Sequence, residues 1–312
     1  MQIVFMGTSD FALPALQVLH ASRHQIVLVI TQPDRPRGRG LRLSPPAVKE
    51  LALSLNLPVI QPLKIKDPAV IQQLQALKPQ IILVVAYGQF LPEQILSLPK
   101  YGCVNLHPSL LPKYRGPAPI PWAILQGEEK TGVTTMFIGE GVDAGPILLQ
   151  EEIEIEPMDT AATLHDKLAI VGAELLLKTI QGLEKGEVSP IPQPEELASY
   201  TSKLKKEDGQ IDWKRSAQQV HNQVRAMNPW PGAYTFYSGY LLKVWQTRIC
   251  SAERIVIGRE PGEILGIEDE GIEVQTGDQP LLITEIQRPG GQRMPVKEYI
   301  KGHPLCPGTK LT

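Results

Sequence analysis

Ile81-Ile82-Leu83-Val84-Val85-Ala86-Tyr87-Gly88-Gln89-Phe90-Leu91-Pro92 is the stretch whose reading decides the fold. Five aliphatic residues in a row, with no polar alternation, fit a strand covered on both faces, at the centre of a parallel sheet. Glycine and proline then interrupt the run, so a loop follows. One of Tyr87 and Phe90 is expected in the core. Upstream, Asp67 followed by Pro68 reads as an N-cap and first-turn proline of a helix to Leu77. Further upstream, Ile3–Gly7 and Ile26–Ile30 are two more apolar strands, and Phe11–Leu19 between them is a helix that Ser9 or Asp10 can cap. Strand, helix, strand is a βαβ unit, and its repetition predicts an α/β fold: a mostly parallel sheet with helices on both faces. Gly7-Thr8-Ser9-Asp10-Phe11-Ala12 lacks the second and third glycines of the dinucleotide fingerprint, which excludes an NAD site.

Downstream of the central strand comes Cys103-Val104-Asn105-Leu106-His107-Pro108-Ser109-Leu110-Leu111-Pro112-Lys113-Tyr114-Arg115-Gly116-Pro117. Asn105 and His107 are two apart, so on a strand they point to one face. In an open α/β sheet ligands sit beyond the carboxyl ends of the strands, where the loops after Val85 and after His107 should lie side by side. An amide that steadies a developing oxyanion and an imidazole that moves a proton are a minimal set for attack on a carbonyl. Gly141-Val142-Asp143-Ala144-Gly145 supplies a carboxylate that could fix the tautomer of His107. Taken singly, each feature also fits a plain strand end or turn.

The chain has 312 residues, 42% of them hydrophobic, and a formal net charge of −2. That describes an ordinary soluble protein of one large or two smaller domains, with no global charge that announces nucleic acid. Cys103, Cys250 and Cys306 are scattered and form no Cys-x-x-Cys pair. They suggest neither a metal site nor a disulfide framework, and they fit free thiols in a cytoplasmic protein. No secretion signal or membrane span is expected.

Gln32-Pro33-Asp34-Arg35-Pro36-Arg37-Gly38-Arg39-Gly40-Leu41-Arg42 sets four arginines among prolines and glycines. Composition predicts a mobile loop, and it leaves open a solvated basic loop or a finger for phosphate or RNA. Asp159-Thr160 opens a long amphipathic helix closed by Gly182 and Gly186. Residues 189–207, which begin Ser-Pro-Ile-Pro-Gln-Pro-Glu, read as a stiff linker. It separates a domain at 1–188, whose βαβ units should close their own core, from one at 208–312. In the latter, short strands between turn signals suggest a small β-barrel.

The string Asn105 to Pro112, with Tyr114-Arg115-Gly116, Pro119, Trp122, Gly132-Val133-Thr134 and Asp143-Ala144-Gly145, resembles the folate-dependent formyltransferases. Phe5-Met6-Gly7-Thr8, the arginine loop, Ile211-Asp212-Trp213 and Asn228-Pro229-Trp230-Pro231 look like the branch of that family acting on methionyl-tRNA. The likeness covers nearly the whole chain. It implies a Rossmann-like catalytic domain and an oligonucleotide-binding-like C-terminal β-barrel that contacts tRNA. It implies transfer of a formyl group from 10-formyltetrahydrofolate to the methionine amine of initiator methionyl-tRNA, with no metal, by a monomer. Asn105, His107 and Asp143 would be catalytic, and Ser109, Leu110, Leu111 and Pro112 would contact tetrahydrofolate. Arg35, Arg37, Arg39 and Arg42 would contact tRNA, while Arg115 would lock its own loop. A sugar-nucleotide acceptor is the alternative that the arginine loop and barrel argue against. The intact trio argues against a non-catalytic RNA-binding protein.

Overall fold

The structure, a computed structural model, describes residues 1–37, 42–250, 258–268 and 270–312. In chain order the first nine strands are β1 Gln2–Gly7, β2 Gln25–Ile30, β3 Arg35–Arg37, β4 Arg42–Ser44, β5 Val59–Ile60, β6 Ile81–Val85, β7 Cys103–His107, β8 Lys130–Phe137 and β9 Ile147–Glu154. Seven of them form one sheet in the order β5-β2-β1-β6-β7-β8-β9. The first five are parallel, and β8 and β9 extend the sheet antiparallel. The aliphatic run 81–85 is thus the middle strand of seven, and all five residues are buried. The strand order reverses between β1 and β6, which opens a crevice at their carboxyl ends.

Helices α1 Leu13–Ala21, α2 Ala47–Ser54, α3 Pro68–Leu77, α4 Glu93–Leu96, α5 Pro119–Gln126 and α6 Ala161–Lys185 belong to the same stretch of chain. Asp67 caps α3 through its carboxylate, which accepts from the Ala69 N–H at 3.0 Å, as the Asp-Pro pair predicts. The helix read over 11–19 begins with a turn of 3-10 helix at Asp10–Ala12, and Ser9 makes no side-chain cap. One face of the sheet packs Val4, Met6, Ile82, Val84 and Cys103 against Leu74 of α3 and Ile95 of α4. Register carries that row onto β7, where Asn105 pairs with Val84, so Asn105 and His107 continue the same face. Leu106 points the other way, to α6. A Cβ on Gly172 of α6 would come within 2.8 Å of Leu106, so glycine is what lets helix and strand approach. Tyr87 is buried and Phe90 is exposed.

The arginine loop differs from expectation. Arg35–Arg37 and Arg42–Ser44 pair antiparallel as a two-stranded ribbon with Arg37 opposite Arg42. Backbone pairing needs no apolar side chain, and so composition gave no warning of it. Arg39 lies outside the described residues.

The chain divides into two compact units. The first comprises 1–119, 130–154 and 165–201; the second comprises 120–129, 155–164 and 202–312. In the second unit, helix α7 Ala217–Ala226 starts with a capping box between Ser216 and Gln219. Strands β10 Ala233–Tyr237, β11 Tyr240–Ile249, β12 Ile264–Glu268, β13 Gly271–Gln275, β14 Pro280–Gln287 and β15 Met294–Pro295 follow, with a short helix α8 at Val296–Tyr299. They form an antiparallel sheet in the order β10-β11-β14-β13-β12, with β15 on β14. Residues 309–312 join its two edges. Thr312 exchanges backbone hydrogen bonds with Phe236 of β10 at 2.7 and 3.0 Å, and Leu311 donates to Gly262 and Thr309 accepts from Ile264 of β12. Both open edges are thereby paired, and the sheet closes into the expected barrel.

Candidate active site

The carboxylate of Asp143 is the point on which three groups converge. Its Oδ2 accepts from the Gly116 backbone N–H at 2.9 Å and lies 3.5 Å from Nδ1 of His107. Its Oδ1 lies 3.5 Å from Nδ2 of Asn105. The residue sits at φ +49°, a left-handed conformation that aspartate tolerates better than most side chains. Asn105, His107 and Asp143, the three residues singled out in the sequence, stand together here.

His107 is 5% exposed and held at both ring nitrogens. Nε2 lies 2.9 Å from the carbonyl oxygen of Tyr114. A carbonyl only accepts, so Nε2 carries the proton of that bond. Nδ1 is therefore the ring atom left for exchange, and it is the one that faces Asp143. Tyr114, at φ +61°, turns its carbonyl back toward β7. A backbone carbonyl leaves no mark in a sequence, and nothing there pointed to it.

The segment Ser109–Pro112 is fixed from beneath. Ser109 and Leu111 are 1% and 3% exposed. The Ser109 hydroxyl donates to the Lys113 carbonyl at 2.7 Å, and the Thr134 hydroxyl donates to the Ser109 carbonyl at 2.6 Å. Leu111 packs with Met136 and Ile147, and its carbonyl accepts from Gln150 Nε2 at 2.9 Å. Leu110 and Pro112 are the half-buried members. A Cβ on Gly132 would overlap Leu110, which ties β8 to this turn.

Arg115 is structural, as its flanks suggest. It is 1% exposed, donates from Nε to Gln193 at 3.0 Å, and pairs through Nη1 with Glu195 and with the Tyr200 hydroxyl. Gln193 lies in the stretch that composition reads as a linker. Its Nε2 donates to the carbonyls of Asp143 and Gly145 at 2.8 and 2.7 Å.

The loops after β1, β2 and β6 meet at the Tyr87 carbonyl, which accepts from Thr8 Oγ1 at 2.8 Å and Gln32 Nε2 at 3.3 Å. Beside them, Thr8, Asp10, Gln32, Arg35, Ser44 and Pro46 line part of an open cleft of about 230 Å³. Arg35 donates to Gln32 Oε1 at 3.1 Å. Arg37 and Arg42 hold facing positions on the ribbon. Among the described residues no group of three or more His, Cys, Asp or Glu is placed to hold a metal ion, and no helix is long and apolar enough to cross a membrane.

A mostly parallel sheet that brings an amide, an imidazole and a carboxylate together at the carboxyl end of a strand has the groups that group transfer at a carbonyl carbon requires. Residues 1–180 match the family model described as formyl transferase, and residues 203–304 match the formyl transferase C-terminal domain. The chain is 47% identical to the methionyl-tRNA formyltransferase of Pelotomaculum thermopropionicum, over all of this chain and 98% of that protein. It is 49% identical to that of Desulforamulus reducens, again over all of this chain and 98% of that protein. The chain belongs to the formyl transferase family, and within it to the methionyl-tRNA formyltransferases. Among solved structures, the N-formyltransferase of Helicobacter canadensis, in complex with folinic acid and dTDP-3-aminofucose, shares the fold. It has a TM-score of 0.68 and 20% identity, over 92% of this chain and 98% of that one. HypX of Aquifex aeolicus in complex with tetrahydrofolic acid also shares it, with a TM-score of 0.62 and 20% identity, over 96% of this chain and 47% of that one.

Proposed function

We propose that this enzyme transfers the formyl group of 10-formyltetrahydrofolate to the amine of methionine on initiator methionyl-tRNA. The observation that carries the chemistry is the meeting of Asn105, His107 and Asp143 within 3.5 Å at the end of β7. The amine attacks the formyl carbon and a C–N bond forms, which places negative charge on the formyl oxygen. The Asn105 amide, 3.5 Å from Asp143 Oδ1, can turn and donate to that oxygen. The attacking nitrogen then loses a proton and the departing folate nitrogen gains one. His107 Nδ1, beside the Asp143 carboxylate, is the group placed to move it. Ser109–Pro112 contact the folate in this reading, chiefly through the half-buried Leu110 and Pro112 and the backbone, since Ser109 and Leu111 are turned inward.

Arg35, Arg37, Arg39 and Arg42 are the proposed tRNA contacts. Guanidinium groups suit phosphates and unpaired bases, and a hairpin can carry them away from the sheet. No step in this reading requires a metal, and the substrates place the reaction in the cytoplasm. A sugar-nucleotide acceptor has only likeness of fold in its favour. The test is transfer of labelled formyl from the folate donor to charged and uncharged initiator tRNA and to an amino-sugar nucleotide. Label on charged tRNA alone supports the proposal, and label on the sugar nucleotide alone refutes it.

A further inference from the structure

Residues 191–201, which sequence composition marks as a linker, are bonded to both loops that build the site. Ile191 exchanges backbone bonds with Ile147 at 2.8 Å each, just beyond the Asp143 loop. Ser199 accepts the Arg115 N–H at 2.8 Å on its carbonyl and the Tyr114 N–H at 2.9 Å on its hydroxyl. Thr201 donates its backbone N–H to the Arg115 carbonyl at 2.8 Å and its hydroxyl to Pro117. The segment is a strap rather than a spacer.

Gln193 is the strap's side chain that reaches both loops. Its amide nitrogen spends its two protons on the Asp143 and Gly145 carbonyls, and its oxygen accepts from Arg115 Nε. Arg115 stands between Tyr114, whose carbonyl holds His107, and Gly116, whose N–H holds the Asp143 carboxylate. The Asp143 loop needs such an anchor: Glu140 to Val142 are exposed, and Gly141 and Asp143 both lie at positive φ. Gly145 has no room for a side chain, since a Cβ there would lie 1.8 Å from the Phe137 carbonyl. Asparagine is a methylene too short to span the gap. Glutamate keeps the acceptor for Arg115 but sets a carboxylate oxygen against two carbonyls.

We infer that Gln193 is a positioning residue for formyl transfer, whose amide sets the distance between the Asp143 carboxylate and His107. The inference rests on the proposed function. A misplacement of about 1 Å in such a group is enough to cost about 10²-fold in rate.

The experiment measures kcat and both KM values for Gln193→Glu and the nearly isosteric Gln193→Met, each in the wild-type and the Asp143→Asn background. Gln193→Glu is expected to lower kcat by about 10²-fold while both KM values stay within about threefold, because the lost geometry matters at the transition state. In the Asp143→Asn background the same change should cost less than about twofold, because residues acting through one group are not additive. Gln193→Met should show a smaller loss with the same non-additivity, and it carries the test if the glutamate variant does not fold. An unchanged kcat, or an equal loss in both backgrounds, would overturn the inference while wild-type turnover left the proposed function standing. A wild-type protein that formylates no methionyl-tRNA would overturn both.

Discussion

His107 Nδ1 and Asp143 Oδ2 face one another at 3.5 Å, with the far side of the ring already committed to the Tyr114 carbonyl. A ring so held can exchange a proton only on the side of the carboxylate. Replacement of His107 or Asn105 by alanine should therefore cost at least about 10²-fold in kcat while the fold persists. Circular dichroism and thermal melting check the fold, and steady-state formylation checks the rate. A variant that folds, binds folate and turns over near the wild-type rate would remove that residue from the mechanism.

Arg115 is the buried cation that the strap clasps, while the Glu195 carboxylate that meets it is 70% exposed. Arg115→Met removes the donor that the half-buried Gln193 Oε1 accepts from, while the exposed Glu195 keeps the Tyr200 hydroxyl and solvent, and it should destabilise the protein by about 1–3 kcal/mol. Glu195→Gln should change the melting temperature little, because the solvent already screens that group. Equal shifts from the two substitutions would contradict this asymmetry.

His221 of α7 is buried, with Nδ1 2.9 Å from the Thr247 hydroxyl and Nε2 3.4 Å from the Pro157 carbonyl. Burial, and then the nearby Arg225 guanidinium, hold it below its ordinary 6.5. Below pH 6.5 the unfolded chain therefore binds a proton that the folded chain resists, so the stability it contributes is present above 6.5 and is lost as pH falls through that window. His24, lowered by burial and by the terminal amine, acts in the same direction. The fall in melting temperature between pH 7 and pH 5 should be smaller in His221→Gln than in the wild type. Identical pH dependence in the two proteins would contradict the assignment.

The arginine ribbon gives a separable expectation. If Arg37 and Arg42 each meet one phosphate, replacing either by alanine should reduce the slope of log K against log salt by about 0.7–0.9 and leave folate affinity unchanged. Arg39→Ala should depress tRNA formylation most. Formylation rates across a salt series, with folate binding measured beside them, decide it. Loss of folate affinity would assign the loop to the other substrate.

Much of the sheet was legible because burial leaves a pattern. The run at 81–85 named the central strand, and the two-residue spacing of Asn105 and His107 named their shared face. Asp143 was legible through the family resemblance, since a lone aspartate between glycines reads equally as a turn. What stayed hidden was backbone and reach. The Tyr114 carbonyl has no side-chain signature, and the ribbon of 35–37 with 42–44 is held by main-chain bonds between arginine-rich strands. Gln193 looked like one polar residue among prolines, because only the folded strap brings it beside Arg115 and Asp143. Residues 120–129 and 155–164, read as parts of the first domain, fall within the second compact unit.

That division has its own consequence. Within the second unit, Ile155 donates to the Glu129 carbonyl at 2.8 Å, Trp122 Nε1 donates to the Ser202 carbonyl at 2.9 Å, and Arg225 donates to the Asp159 carbonyl at 3.0 Å. A fragment ending at residue 201 keeps the strap but loses the partners of 120–129 and 155–164. It should unfold at a lower temperature than the full chain, and a fragment ending at residue 188 should in addition lose the strap and with it the geometry of the site. Equal melting temperatures for full chain and fragments would show that these segments need no partner.

The most direct test of the central claim is single-turnover formylation of initiator methionyl-tRNA at saturating 10-formyltetrahydrofolate, by the wild type and by Asp143→Asn. The substitution keeps the side chain's size and removes its charge beside His107. The wild type should transfer the formyl group to the methionine amine, and Asp143→Asn should do so at least about 10²-fold more slowly while folate and tRNA affinities hold. An Asp143→Asn rate equal to that of the wild type would contradict the account.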